Sequence, residues 1–136
     1  MLKGSCLCGA VAYSAAGPVE SASHCYCTMC QKQHGAGAGS YANVARAGLT
    51  IERGAALVTE YASSDHGRRA FCRRCGSTLF WRSEQSPERI AVTLGTLDSP
   101  FTGEVSRELH TDTRPSWLPT ARSASDPAAD SPASNP

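Results

Sequence analysis

No stretch of this sequence approaches the ~18 uninterrupted apolar residues of a membrane-spanning helix, so we expect no membrane insertion. Aromatic residues are scarce at 7%, and apolar residues reach only 40%. That supply is lean for a purely hydrophobic core, so something else is expected to help hold the fold. An excess charge of either sign is also absent. Thirteen basic and twelve acidic residues leave a formal +1, which provides no global field to draw in nucleic acid or an anionic membrane surface. The residues Met1-Leu2-Lys3-Gly4-Ser5-Cys6 form no apolar h-region, and the expected location is cytoplasmic. With 136 residues, one domain with a single core is the expected organisation.

Cysteine is abundant: there are seven. A disulfide framework would call for an even count and a secretory route, and neither is found. Upstream of residue 120, short runs rich in β-branched and aromatic residues recur between Gly, Pro and Ser punctuation. They predict an all-β chain with strands over Ala10–Ser14, Gly39–Val44, Leu57–Tyr61, Thr78–Trp81, Ile90–Thr96 and Val105–His110. One helix is predicted, because Thr28-Met29-Cys30-Gln31 fits a capping box with Thr28 as the cap and a stop near Gly35. Cys30 would then sit in the first turn, where the helix dipole favours a thiolate; an ordinary turn is the competing reading. From Thr120 to Pro136 no large apolar side chain occurs. The expected division is a domain over 1–119 and a disordered Ala/Ser/Pro tail over 120–136.

The cysteines fall into three groups, Cys6-x-Cys8, Cys25-x-Cys27-x-x-Cys30 and Cys72-x-x-Cys75-Gly76. Residues two apart on a strand face the same side with Cα atoms ~6.6 Å apart, so their sulfurs can converge on one ion. A C-x-x-C pair needs a tight turn instead, and Gly76 is the residue most tolerant of its left-handed conformation. Seven ligands exceed one tetrahedral zinc site by three and fall one short of two closed sites. Cys25, Cys27 and Cys30 are close enough in sequence to share one ion, which leaves Cys6, Cys8, Cys72 and Cys75 as a closed set. Spacing alone also allows Cys25 and Cys27 to pair with Cys72 and Cys75. Two zinc ions held by seven thiolates would turn the formal +1 into −2, and the cluster Arg68, Arg69, Arg73 and Arg74 reads as compensation for that charge.

Four segments carry a resemblance to a known family. They are Gly4-Ser5-Cys6-Leu7-Cys8-Gly9, Cys25 to Lys32, Phe71-Cys72-Arg73-Arg74-Cys75-Gly76-Ser77, and Leu94-Gly95-Thr96-Leu97-Asp98, with His110 and Pro115-Ser116-Trp117 as a closing motif. From about Gly4 to Pro119 the chain resembles the glutathione-dependent formaldehyde-activating family, which includes centromere protein V. The resemblance implies a zinc-stapled β-tent of small coiled antiparallel sheets with one short helix after the CxCxxC motif. It also implies a structural zinc on Cys6, Cys8, Cys72 and Cys75 and a catalytic zinc on Cys25, Cys27 and Cys30. The implied activity is that of a carbon–sulfur lyase, exemplified by condensation of formaldehyde with glutathione. Two departures bear on the substrate: the chain is shorter than the dedicated glutathione enzymes, and Thr111-Asp112 follows His110 where many relatives carry apolar or aromatic residues.

A three-thiolate zinc carries net charge −1 and is a poor Lewis acid, so zinc-hydroxide hydrolysis is not the expected chemistry. Such a soft centre suits a small thiol, such as glutathione, as guest. Lys32 is a candidate partner for a substrate carboxylate, against the ordinary reading of a solvated lysine. His24 is expected to point away from the metal group, while His34, His66 and His110 read as surface or structural. Trp81 and Trp117 read as core in preference to cleft walls. The spaced glycines Gly35, Gly37 and Gly39 lack a strand–GxGxxG–helix context and read as a flexible rim. Two non-lyase readings remain beside the enzyme: a zinc-stabilised binding module, and a thiol redox switch.

Overall fold

The computed structural model describes residues 1–118. The expected tail over 120–136 and the domain limit at 119 lie outside the described residues. Among the described residues there are ten strands: β1 (Leu2–Ser5), β2 (Ala12–Ala15), β3 (Ser21–Cys25), β4 (Gly39–Ala45), β5 (Leu49–Arg53), β6 (Val58–Ala62), β7 (Gly67–Cys72), β8 (Thr78–Ser83), β9 (Arg89–Thr93) and β10 (Arg107–Leu109). One α-helix, α1 (Thr28–His34), joins β3 to β4. Among the described residues the protein is therefore all-β with a single short helix, which begins inside the CxCxxC segment and carries Cys30 and does not follow it as expected.

The strands form a three-stranded sheet in the order β1-β2-β5 and a seven-stranded sheet in the order β10-β3-β4-β9-β8-β7-β6. All pairs are antiparallel except β10 on β3, where Arg107 to Leu109 run alongside Ser23 to Cys25. No hairpin turn joins those two strands, so the connection does not impose an antiparallel approach.

Side chains alternate across a strand, and the seven-stranded sheet uses both of its faces. Ala42, Val44, Ala70, Cys72, Phe80, Ile90 and Val92 enter one core together with Val11, just before β2, and Tyr13 and Ala15 from the smaller sheet. Tyr13 packs edge-on against Phe80 with ring centroids 4.9 Å apart, and its hydroxyl meets Thr96 Oγ1 at 2.7 Å. The odd-numbered neighbours Cys25, Tyr41, Trp81 and Ala91 belong to a second cluster with Cys30. The pairing register aligns Asn43 with Ala91, Ala91 with Trp81 and Trp81 with Arg69. One row across the sheet thus places these four side chains on the face opposite the main core.

Helix α1 differs in detail from its expected start. Cys27, not Thr28, is the cap: its Sγ accepts the Cys30 backbone N–H at 3.3 Å. The Gln31 side chain donates to the carbonyls of Tyr26 and Thr113, so the predicted capping box does not form. Gly35 ends the helix as expected, in the left-handed conformation with φ 61°. The tryptophans also differ from the core reading. Trp81 is half-buried at the second cluster, and Trp117 is 68% exposed.

Candidate metal centres and a cysteine-lined cleft

The fold gathers the seven cysteines into two groups. Cys6, Cys8, Cys72 and Cys75 have sulfurs within 4.8 Å of one another, as do Cys25, Cys27 and Cys30. The alternative grouping of Cys25 and Cys27 with Cys72 and Cys75 does not occur. None of the seven is in a disulfide. Cys6 and Cys8 sulfurs lie 3.6 Å apart and those of Cys8 and Cys72 4.0 Å apart. A disulfide requires ~2.05 Å, whereas sulfurs bound to one tetrahedral ion at ~2.3 Å stand ~3.8 Å from each other. Donor type and spacing at both groups therefore fit a soft divalent ion such as zinc.

The four-cysteine group joins the two sheets. Cys6 follows β1 of the smaller sheet, and Cys72 ends β7 of the larger one. The Cys72–Cys75 turn closes with the Gly76 N–H on the Cys72 carbonyl at 2.7 Å, and Gly76 adopts φ 81°, as the turn requires. Ser77 fastens the group from outside, its Oγ accepting the Leu7 N–H at 2.8 Å and lying 3.4 Å from Cys75 Sγ. The Ser77 hydroxyl and backbone N–H bring Cys75 down to about 5. Cys8 is drawn down by the Ala10 N–H, yet burial and the neighbouring thiols leave it pushed up to about 11. Four sulfurs this close do not all ionise without a cation between them.

The three-cysteine group lies at a cleft of about 220 Å³ on the other face of the large sheet. Cys25 comes from the end of β3, Cys27 from the α1 cap and Cys30 from the first turn of the helix. Burial, aided by Cys30, pushes the Cys25 thiol up to about 12. Ser23, Asn43, Trp81, Leu109 and His110 complete much of the wall. Tyr41 reaches in from β4, its hydroxyl 3.9 Å from Cys30 Sγ and 2.6 Å from His34 Nε2. Burial, and then the charge of Arg69, lower the His34 pKa.

Arg69 is 4% exposed, and its Nη1 lies 3.5 Å from Cys30 Sγ and 3.4 Å from Gln33 Oε1. Burial favours its neutral form, but Cys30, Tyr41 and Cys27 reverse that and raise its pKa. The basic cluster read from the sequence divides here. Arg68 points the other way and pairs with Glu84 at 3.1 Å, and Arg73 and Arg74 are exposed. Lys32 is exposed and does not line the cysteine cleft. It lines a neighbouring cleft of about 350 Å³ that shares Met29, Ser63 and Arg69 with it. His24 Nδ1 meets Ser40 Oγ at 2.8 Å, away from the sulfurs. Tyr41 and Gln33 were not expected at the site, and neither sits in a sequence motif that marks it. Arg69 had a signal in the strand alternation that turns it and Arg68 to opposite faces.

A cysteine-clustered, mostly β protein of this design defines a class. A family model described as "Glutathione-dependent formaldehyde-activating enzyme" matches residues 1–113. The chain belongs to that family. A curated relative from Halomonas elongata, named "Putative glutathione-dependent formaldehyde-activating enzyme", is 29% identical over 125 residues, covering 87% of this chain and 80% of the relative. A crystal structure of a Rhodobacter sphaeroides protein superposes with a TM-score of 0.63 at 27% identity, covering 78% of this chain and 98% of that one. Among the described residues no helix is long and apolar enough to cross a membrane.

Proposed function

We propose that the protein is a zinc-dependent carbon–sulfur lyase-type enzyme that makes and breaks the adduct of a thiol with a small aldehyde, such as S-hydroxymethylglutathione from glutathione and formaldehyde. The observation that carries this reading is the unequal ligand count: four sulfurs converge in one group and three in the other, and the three line the cleft of about 220 Å³. The family description and the name of the Halomonas relative support the choice of thiol and aldehyde.

In this reading Cys6, Cys8, Cys72 and Cys75 hold a structural ion, and Cys25, Cys27 and Cys30 hold the ion at the reacting centre. When bound there, zinc supplies a soft, electron-rich centre that favours a guest sulfur in its ionised form. The reaction forms one C–S bond. The thiol sulfur gives an electron pair to the aldehyde carbon, the carbonyl π pair moves to oxygen, and the proton lost by sulfur ends on that oxygen. Tyr41 Oη, fixed by His34 Nε2, is the hydroxyl placed beside Cys30 to hold or pass a proton. Trp81, Ala91 and Leu109 exclude water from one side of the cleft.

At about 220 Å³ the cleft is smaller than the ~300–1,000 Å³ typical of sites that enclose whole drug-sized ligands. It suits the reacting end of a thiol, with the remainder lying over the neighbouring cleft, where Lys32 is the proposed partner for a carboxylate. Exchange NMR of glutathione with formaldehyde tests the proposal. Wild-type protein should accelerate exchange between free glutathione and its hydroxymethyl adduct, and Cys27→Ser should not. Equal exchange rates with and without wild-type protein would reject the reading.

A further inference from the structure

A buried guanidinium normally faces a carboxylate, because an uncompensated charge away from water is costly. Arg69 does not: among the described residues it forms no ion pair, and its Nε is buried with no hydrogen-bond partner. Its contacts through Nη1 are Cys30 Sγ and the neutral Gln33 Oε1. The counter-charge of Arg69 is therefore the cysteine cluster itself. Ser23, Asn43, Trp81, Ala91 and Leu109 on the cleft wall carry no charge. Arg68, one residue earlier on the other face of β7, is already paired with Glu84 and cannot substitute.

The charge balance of the site then depends on one side chain. Three thiolates and a divalent ion amount to −1, and an ionised thiol entering as a fourth ligand would raise this to −2. Arg69 offsets one of those charges at a distance where screening by water is weak. We infer that Arg69 is the specificity-determining residue of the three-cysteine site, selecting an anionic guest, a thiolate, over a neutral nitrogen ligand of similar size. A guanidinium that uses one nitrogen on Cys30 and Gln33 also keeps donor capacity for the incoming anion. The inference rests on the thiol-binding reading proposed above.

The test uses the full chain loaded with cobalt; the four-cysteine site has no open position, so the change in the visible spectrum on adding a ligand reports the three-cysteine site without turnover. Wild-type protein, Arg69→Gln and Arg69→Lys are each titrated with 2-mercaptoethanol and, separately, with imidazole. Removing the charge should weaken 2-mercaptoethanol by at least about tenfold and imidazole by less than about threefold, with most of the thiol affinity retained in Arg69→Lys. Equal weakening of both probes, or of neither, in Arg69→Gln overturns the inference. Should Arg69→Gln fail to fold, Arg69→Lys decides: a thiol-to-imidazole preference within about threefold of wild type upholds charge selection, and a loss of about tenfold or more overturns it. A wild-type spectrum that 2-mercaptoethanol leaves unmoved instead rejects the thiol-binding reading itself.

Discussion

Gly39 stands opposite Cys25 in the β3–β4 ladder, and a Cβ there would lie 2.7 Å from both His34 Nε2 and Tyr41 Cε2. The glycine is thus needed for close approach, where the spaced glycines had suggested a flexible rim. Gly39→Ala should push the Tyr41–His34 pair off the cysteine cluster and destabilise the fold by about 1–3 kcal/mol, measurable by urea denaturation. His34 leads to a second prediction at this scale. Burial and Arg69 hold its pKa below the ordinary 6.5, so as pH falls past 6.5 the unfolded chain gains a proton that the folded chain resists. Folding stability should drop as pH falls from 6.5 toward the folded-state pKa, with no His34 contribution to the slope above that window. His34→Gln should remove that portion of the slope, seen by comparing denaturation midpoints of the two proteins at about pH 7.5 and about pH 5.5. Identical pH dependence in both would show that His34 is not held neutral.

The short helix α1 combines two tasks in one side chain. Cys27 Sγ caps the helix by accepting the Cys30 N–H, and it is also one of the three clustered sulfurs. The two roles separate by substitution. Cys27→Ser keeps a capping oxygen but loses the soft ligand, whereas Cys27→Ala loses both and should be less stable than the serine variant by about 1 kcal/mol. Both should bind one zinc fewer than wild type by elemental analysis. Similar physics explains which elements could be read from sequence. Strands β2, β4, β6, β8, β9 and β10 each overlap a predicted run, because their β-branched and aromatic residues stand out between turns. Strand β3 is Ser-Ala-Ser-His-Cys and β7 is Gly-Arg-Arg-Ala-Phe-Cys. Ser23 and Cys25 of β3 and Arg69 of β7 line the cleft, so these segments lack the composition of ordinary half-buried strands. The helix cap was missed because a thiol stood where a hydroxyl is the usual acceptor.

For the whole molecule, an ion on the proposed four-cysteine site would do what a larger apolar core would otherwise do. The four-cysteine group ties the three-stranded sheet to the seven-stranded one, and Cys72 within it is fully buried. Chelation that strips this group should lower thermal stability far more than loss of the three-cysteine ion, since structural metal binding is itself folding free energy. Melting curves of wild type and Cys27→Ser, each with and without a strong chelator, would separate the contributions. The partition of seven cysteines into four and three could be argued from ligand counting and from the family resemblance, though spacing left another pairing open. The settings of the cleft, Tyr41 with His34 and the inward turn of Arg69, depend on strand register and a helix end that no local motif encodes.

As proposed, one cysteine group offers a full set of four ligands and the other is one ligand short. An anomalous difference map at the zinc edge from crystals of the full chain measures this directly. Two ions per chain are expected, one surrounded by Cys6, Cys8, Cys72 and Cys75, the other by Cys25, Cys27 and Cys30 with a non-protein ligand in the fourth position. A single ion, or a fourth protein ligand closing the second site, would contradict it.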